Sequence, residues 1–291
     1  MFKKIGVFMQ MIKFEHTVFA LPFAFMGALL GSMVISDKLP SWPEIGWIVI
    51  AMFGARSAAM GLNRLIDRIS DAKNPRTAGR AIPAGLLKVG EVIVFVAVSF
   101  FLLFWAAFKL NSLSAKLLPI AVFLLVFYSF TKRFTWACHL ILGLTIALAP
   151  LGGWVAVTGH VDLTAMVLYI TIVFWTAGFD VIYACQDVDF DRREGLYSIP
   201  VRFGVAGALR IAAAFHILTG IGFISLLFLA DLSWFYVAGM VIAYLILFYE
   251  HHIVSPSDLS RLQTAFFTMN GVLSIVVFSF TLIDLVVQTY R

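Results

Sequence analysis

Charged residues and cysteines are scarce in this sequence. Only 13% of its 291 residues are charged, against about a quarter in soluble domains, and 62% are hydrophobic. This composition excludes an ordinary soluble enzyme or binding module, and the mean hydropathy of +0.97 favours a chain that lies in lipid. The length leaves no room for a separate soluble domain, so we expect a single membrane domain over residues 1–291.

The two cysteines, Cys138 and Cys185, lie near the ends of predicted spans and have a whole span between them. This spacing is typical neither of a metal site nor of a disulfide framework. We therefore expect two free thiols.

Apolar runs fill most of the chain, and roughly 20 apolar residues are needed to cross about 30 Å of hydrocarbon. The runs fall near 15–35, 44–63, 89–109, 116–131, 135–158, 163–184, 206–230, 233–251 and 264–288. The sequence therefore predicts an all-α polytopic membrane protein with about nine transmembrane helices. Lysines precede the first run but no small-residue cleavage site follows, which indicates an anchor rather than a removable signal peptide.

Basic residues concentrate on the loops of one side of the membrane. With a cytoplasmic N-terminus, sixteen Lys and Arg residues fall on cytoplasmic segments and four on the opposite side. The positive-inside rule then predicts a cytoplasmic N-terminus and cytoplasmic loops at 64–88 and 185–205. Because topology explains most of the net charge of +5, we expect no nucleic-acid partner.

The first of these cytoplasmic loops begins with an acidic cluster. Asn63, Asp67 and Asp71 are spaced i, i+4, i+8, which places them along one stripe of a helix where they can share a ligand. Like charges at i, i+4 destabilise a helix by about 0.2–0.5 kcal/mol, so Asp67 and Asp71 call for a compensating cation. Neighbouring arginines or a metal ion could supply it.

A second cluster, on the same side, repeats this spacing. Asp187 and Asp191 are four residues apart, Tyr183 lies one turn before them, and Asp180 lies on a similar face, whereas Asp189 should point elsewhere. Paired carboxylates without a full protein cage suit Mg²⁺ that is completed by substrate phosphates. The alternative is solvated carboxylates neutralised by arginine, and the repetition of one geometry on one membrane face favours the metal.

The residues around both clusters resemble the UbiA superfamily of intramembrane prenyltransferases. NRLIDRISD resembles its NRxxDRxxD signature, AKNPRTAGRAIP resembles the continuation, and YACQDVDFD is similar to its second, DxxxD, signature. The stretches KFEHTVFALPFAFMGALL at 13–30 and YSFTKRFTWACHLILGLTIALAPLGGW at 128–154 extend the likeness, which runs from residue 13 to about 205. Within the superfamily, these stretches look most like the bacterial 4-hydroxybenzoate polyprenyltransferase branch.

This resemblance implies a fold and a reaction. The fold would have nine helices around a central cavity, a cytoplasmic polar cap and a lateral opening to membrane lipid. The reaction would be Mg²⁺-dependent transfer of a polyprenyl group from polyprenyl diphosphate to a small aromatic acceptor, such as 4-hydroxybenzoate in ubiquinone biosynthesis or a hydroxynaphthoate in menaquinone biosynthesis. The resemblance also implies that Asp67, Asp71, Asp187 and Asp191 bind the Mg²⁺.

The chemistry of an allylic diphosphate suggests further site residues, since cations stabilise the departing diphosphate and aromatic faces stabilise the allylic cation. We single out Tyr183 for the allylic cation. Candidates for contacts with the diphosphate are Arg64, Arg68, Lys73, Arg76, Lys132, Arg133, Arg192 and Arg193, and Asn63 and Tyr128 are further candidates for substrate binding. Arg56, two turns before Asn63 and inside a span, is a candidate for the acceptor's carboxylate or for a structural pair with Glu15 or a cluster aspartate.

The histidines of the sequence do not indicate a separate catalytic or metal site. We expect His16 to be interfacial, and Glu250, His251 and His252 to form a polar edge.

Other protein classes fit the two acidic clusters less well. A secondary transporter would place ionisable residues near the membrane midplane on broken helices, whereas these carboxylates concentrate at one interface. A CDP-alcohol phosphotransferase would carry a glycine-containing aspartate signature that the sequence lacks. Other UbiA-type transferases share the acidic clusters and differ in their acceptor.

Overall fold

The chain folds into helices, as expected from its apolar runs. The computed structural model describes residues 2–13 and 17–289, so the predictions for Glu15 and His16 lie outside the described residues. The α-helices are α1 Phe2–Met11, α2 Thr17–Ser36, α3 Trp42–Lys73, α4 Val89–Leu110, α5 Ser112–Phe127, α6 Cys138–Ile146, α7 Leu148–Thr158, α8 Leu163–Ala184, α9 Val188–Arg193, α10 Ile199–Leu229, α11 Trp234–His252 and α12 Asn270–Thr289. The described ranges contain no β-strand, which confirms the all-α prediction.

In the described residues, eight helical stretches are long enough and apolar enough to cross a membrane. The helix α2 is also apolar, although its part at residues 20–36 is shorter than these stretches. The chain is therefore a multi-pass membrane protein, and a total of nine spans with a polar cap stays a prediction. In the described part of the chain, Cys138 and Cys185 are both buried and free, as predicted.

Helix ends follow from local sequence signals. The helix α3 begins at a capping box in which Ser41 and Glu44 satisfy each other's backbone amides, and Asp162 and Ser198 cap α8 and α10 with side-chain oxygens. The helix α7 ends at Gly159, whose φ of 70° is the left-handed conformation that glycine adopts without strain. These caps fix where the spans emerge.

The helix α3 is longer than its apolar run predicts. It continues to Lys73, so the first acidic cluster lies on a helix and the loop expected at 64–88 begins only at Asn74. The apolar residues Leu65, Ile66 and Ile69 continue the helical pattern beyond the span. Asn74 has an extended backbone because it precedes a proline, and this ends the helix.

Three irregular turns interrupt the helices near the acidic clusters. Tyr128–Arg133 and Cys185–Asp187 are 3-10 turns, and Thr264–Met269 is a π-helical turn. Such turns change the direction in which successive side chains point and are frequent at functional sites. Together with the end of α3, they bring polar side chains to one side of the bundle.

The polar edge expected at the end of α11 is wrong for Glu250 and His251, which have partners inside the bundle, whereas His252 is exposed as expected. Glu250 is fully buried and accepts a hydrogen bond of 3.0 Å from Asn270 Nδ2. His251 Nε2 lies 2.9 Å from Nδ1 of the buried His216, whose Nε2 lies 3.3 Å from the carbonyl of Trp175. These contacts hold α8, α10, α11 and α12 together from within.

Candidate active site

The two acidic clusters line one cavity of about 350 Å³. The first cluster comes from the last turns of α3, and the second comes from the 3-10 turn after α8 and from α9. The predicted site residues that line this cavity are Arg56, Asn63, Arg64, Asp67, Asp71, Arg76, Tyr128, Lys132, Arg133, Tyr183, Asp187 and Asp191. The four carboxylates predicted to share a ligand therefore lie around a common space.

Asp67 is held from two sides. Asn63 Nδ2 donates a hydrogen bond of 2.9 Å to Asp67 Oδ2, as the i+4 spacing predicts, and Arg133 Nη2 donates one of 2.9 Å to Oδ1. Arg64, which is buried, donates 3.0 Å to Asn63 Oδ1 and so fixes the orientation of that amide. The carboxylate therefore faces the cavity in a defined position.

Asp71 lies one turn further along α3 and is buried. Arg80 Nη1 donates a hydrogen bond of 2.6 Å to Asp71 Oδ1, and Thr77 Oγ1 donates one of 2.9 Å to the backbone carbonyl of Asp71. Both partners belong to the segment 74–88. This segment is therefore tied to the end of α3 at the first cluster.

The same segment also reaches the second cluster through Arg76. Its guanidinium donates two hydrogen bonds to Asp187, of 2.9 and 2.7 Å, and lies 5.6 Å from the centre of the Tyr183 ring. Burial opposes the charge of Arg76, but the hydrogen bonds and charge of Asp187 outweigh burial and raise the pKa of Arg76 above its usual value. Arg76 is therefore a permanent cation between the clusters.

Asp191 has the loosest partner of the four carboxylates. Lys132 Nζ lies 3.8 Å from Asp191 Oδ2, which is an ion-pair distance but too long for a hydrogen bond. Asp191 is buried, and Lys132 reaches it from the 3-10 turn that follows α5. Each of the four carboxylates thus has a basic partner, so the neutralisation by arginine that the sequence left open is present at three of them, and a lysine takes this place at Asp191.

The donor set fits a magnesium ion that takes further ligands from a substrate. Asp71 Oδ2 and Asp191 Oδ2 are buried and have no hydrogen-bond partner among residues 2–13 and 17–289, an arrangement that is costly unless a cation completes it. Mg²⁺ is usually bound by one or two carboxylates, with phosphate and water oxygens completing the shell. Within the described residues, no three acidic, His or Cys side chains gather at one point as a complete metal site, so an ion here would depend on these further oxygens.

Several predicted diphosphate contacts lie elsewhere. Of the described residues, those that line the cavity do not include Arg68, Lys73, Arg192 or Arg193. Arg68 is exposed because its place on α3 turns it away, and it donates 2.7 Å to the carbonyl of Leu65. Lys73 forms an ion pair of 2.7 Å with Glu194, which ties the end of α3 to the end of α9 outside the cavity.

Two contacts at or beside the cavity were not indicated by the sequence. Arg80 was counted only among the topological charges, and its contact with Asp71 depends on the path of the segment 74–88. His139 is fully buried on α6, with Nδ1 at 2.6 Å from Oδ2 of Asp180. The two residues are 41 positions apart, so no local spacing could have paired them.

Breaking this histidine–aspartate contact should destabilise the fold. We expect His139→Leu to lower the free energy of unfolding by about 1–3 kcal/mol, because Asp180 loses its partner at the wall of the cavity. His139→Gln, which can still donate to the carboxylate, should lose less. Thermal unfolding of the purified protein in detergent measures both. Equal loss in the two variants would show that shape, not the hydrogen bond, is what His139 supplies.

An aromatic wall lines the side of the cavity formed by α8 and the π-helical turn. The Tyr183 and Phe266 rings lie 4.0 Å apart, Phe266 and Phe179 lie 5.4 Å apart, and Phe179 and Trp175 lie 4.9 Å apart. All four residues line the cavity. Their ring faces offer electron-rich surface to a developing carbocation beside the acidic clusters.

A second cavity, of about 450 Å³ and largely apolar, adjoins the first. It extends between α3, α4, α5 and the pair α6 and α7. The residues that line both cavities are Ala20, Arg56, Met60, Tyr128, Leu142 and Ile146. Arg56 therefore lies at the junction, where its Nη2 also donates a hydrogen bond of 3.3 Å to the carbonyl of Lys13.

Comparison with known proteins identifies relatives by sequence. A model described as "UbiA prenyltransferase family" matches residues 21–272. A 4-hydroxybenzoate octaprenyltransferase of Paraburkholderia phytofirmans is 29% identical over 226 residues, which cover 76% of this chain and 78% of the relative. A mitochondrial 4-hydroxybenzoate polyprenyltransferase of Arabidopsis thaliana is 35% identical over 217 residues, which cover 73% of this chain and 53% of the relative.

Solved structures share the fold. An apo UbiA homologue from Aeropyrum pernix has a TM-score of 0.84 and 29% identity, covering 93% of this chain and 98% of the homologue. A UbiA homologue from Archaeoglobus fulgidus, bound to GPP and Mg²⁺, has a TM-score of 0.76 with 18% identity and covers 96% of this chain and 99% of that one. At that identity, the second likeness concerns the fold alone.

Proposed function

The chain belongs to the UbiA prenyltransferase family, and from this premise we propose that it transfers a polyprenyl group from polyprenyl diphosphate to 4-hydroxybenzoate. The observation that carries the proposal is the pair of adjoining cavities. The first is lined by five carboxylates, the four of the acidic clusters and Asp180, and by five cationic side chains besides Arg56, namely Arg64, Arg76, Arg80, Lys132 and Arg133. The second is apolar. Together they match a substrate with a charged head and a hydrocarbon tail.

The acidic clusters would hold Mg²⁺ against the diphosphate. Asp67, Asp71, Asp187 and Asp191 are the proposed ligands, and the two unpaired oxygens of Asp71 and Asp191 support the assignment. The bound ion would neutralise the charge that accumulates on the departing diphosphate.

The basic side chains of the cavity would bind the phosphate oxygens. Arg76, Arg80 and Arg133 already lie within hydrogen-bond distance of the carboxylates, and arginine can offer two donors to one phosphate. Lys132, 3.8 Å from Asp191, supplies a point charge on the same side. Because these donors are held in place before the reaction, they stabilise the leaving group without a large rearrangement.

The carbon skeleton would lie along the aromatic wall and the apolar cavity. Tyr183, which is in ring contact with Phe266 and lies one turn before Asp187, would place its ring close to where the carbon–oxygen bond breaks. Such a face stabilises an allylic cation by about 0.5–2 kcal/mol. The tail would then extend past Tyr128 into the space between α3, α5 and α7.

Arg56 is the proposed partner of the acceptor's carboxylate, because it lies at the junction of the two cavities. We expect Arg56→Ala to raise KM for 4-hydroxybenzoate about 10–100-fold, the value of a hydrogen-bonded charge. The methyl ester of 4-hydroxybenzoate, which lacks the carboxylate charge, should react equally well with both proteins. Steady-state kinetics with the acid and the ester measure this, and an equal loss with both acceptors would contradict the role.

The reaction itself is tested with purified protein, Mg²⁺, a polyprenyl diphosphate and 4-hydroxybenzoate. We expect a prenylated acceptor, detected by mass spectrometry, and released pyrophosphate, detected by a phosphate assay after its hydrolysis. When a chelator removes the Mg²⁺, we expect no product. A panel that includes a hydroxynaphthoate would reveal acceptor preference. Failure to prenylate any aromatic acceptor from any prenyl diphosphate would refute the proposal.

The orientation of the site is also part of the proposal. The basic residues around the acidic clusters belong to the segments that carry the excess of Lys and Arg, which supports a cytoplasmic location for the cavity mouth. A cytoplasmic site would give direct access to water-soluble acceptors made in the cell. Labelling of cysteines introduced at exposed positions such as Arg68 and Lys38 would assign the two sides.

A further inference from the structure

The apolar cavity is a long passage rather than a compact chamber. On the face of α5 and the turn after it, the residues that line the cavity run from Ser114 to Tyr128, fourteen positions that correspond to about 20 Å at the rise of a helix. Tyr128 also lines the polar cavity, whereas Ser114 lies near the opposite end of the span. A molecule that is bound at the acidic clusters and is longer than the polar cavity can therefore extend into this apolar passage.

One wall of this passage is a face of α7. The α7 residues that line it are Leu148, Ala149, Leu151, Gly152, Gly153 and Val155, and among them Leu148, Gly152 and Val155 share one stripe at the i, i+4 and i+7 positions. A Cβ added at Gly152 would have no heavy atom within 4 Å. The neighbouring Gly153 differs, because its added Cβ would lie 2.1 Å from the carbonyl oxygen of Ala24, where α7 packs against α2.

Gly152 and Gly153 therefore have different structural roles on α7. Gly153 permits close packing of α7 on α2, and the reciprocal Gly27 would place a Cβ 2.0 Å from the carbonyl oxygen of Pro150. Gly152 contributes nothing to that packing and instead leaves space on the cavity side. A side chain at Gly152 has room to enter the passage without displacing any protein atom.

We propose that Gly152 determines the longest prenyl tail that the enzyme accepts, an inference that rests on the proposed function. Gly152 lies six positions beyond Ile146, the last residue of this segment that lines both cavities, and so about 9 Å deeper along the helices. A short tail ends before this level. A long tail must pass it, and the missing side chain provides the width that it needs.

The test compares Gly152→Phe with the wild-type protein on geranyl diphosphate and octaprenyl diphosphate, with 4-hydroxybenzoate as acceptor. We expect the variant to keep its kcat/KM for the geranyl substrate within about twofold and to lose at least tenfold for the octaprenyl substrate. Gly152→Ala and Gly152→Val should lie between, in order of size. The geranyl activity also reports that each variant is folded.

Gly46→Phe is the matched control. Gly46 is a helical glycine on α3 whose added Cβ also has no atom within 4 Å, but it lies outside the cavity lining. It should leave both substrates unaffected. Unchanged octaprenyl activity in Gly152→Phe, or equal loss with both tails, would overturn the role of Gly152 while leaving prenyl transfer intact. A wild-type protein that uses neither substrate would overturn the proposed function itself.

Discussion

Asp191→Asn should lower kcat/KM for prenyl transfer about 10³-fold, the scale on which removal of a preorganised charge contact acts. Asp191 is buried, its Oδ2 has no hydrogen-bond partner among the described residues, and Lys132 is 3.8 Å away. An amide of the same size keeps the packing but cannot neutralise a metal ion. The loss should therefore appear as a higher Mg²⁺ concentration for half-maximal activity together with a lower rate at saturating substrate.

Asp189→Asn provides the control on the same helix. Asp189 is two positions away, is exposed, and lies outside the cavity lining in the described residues. It should retain at least half of the wild-type kcat/KM at every Mg²⁺ concentration. Rates measured across a Mg²⁺ titration separate the two variants. Comparable loss in both would assign the effect to the net charge of α9 and remove Asp191 from the proposed metal ligands.

Spacing within one helix was sufficient to predict the local geometry of the candidate site. The i+4 pattern of Asn63 and Asp67 appears as a hydrogen bond of 2.9 Å, and both acidic clusters line one cavity as expected from their placement on the same membrane side. These features depend on helix geometry and on topology, which are encoded over short stretches of sequence.

The partners of the carboxylates depend on the path of the chain and could not be predicted in this way. Arg76 and Asp187 are 111 positions apart, and Arg133 and Asp67 are 66 apart. Arg68 has the same charge and lies beside Asp67 in sequence, but it turns away because adjacent residues on a helix point in different directions. Local sequence therefore identifies the carboxylates more reliably than the cations that surround them.

The burial of polar side chains was a second feature that the sequence did not predict. Polarity at the end of α11 predicted an exposed edge, yet Glu250 is fully buried, because Asn270 at the start of α12 supplies its hydrogen bond. The open space beside Gly152 likewise depends on which helices face α7 at this level, and not only on the lack of a side chain. Both features arise from packing between helices that are distant in sequence.

Arg76→Ala should lower kcat/KM about 10²-fold, since it removes a cation that is directed at the second cluster from the segment 74–88. Arg76→Lys should recover only part of this loss, because lysine keeps the charge but not the two parallel donors. Arg192→Ala is the control: Arg192 adjoins Asp191 in sequence but is exposed and outside the described cavity lining. Greater loss in Arg192→Ala than in Arg76→Ala would contradict the assignment.

The same variant separates a contact with substrate from a structural role. Without Arg76, the buried Asp187 loses both of its hydrogen bonds from that guanidinium, so thermal unfolding in the presence of a chelator should occur several degrees lower than in the wild type. If Asp187 binds Mg²⁺, the added ion replaces the missing charge, and the Mg²⁺-induced rise in Tm should exceed that of the wild type. Activity should stay low even then, because the ion restores the charge at Asp187 but not the donors to the diphosphate. Full recovery of activity with Mg²⁺ would instead show that Arg76 only balances Asp187.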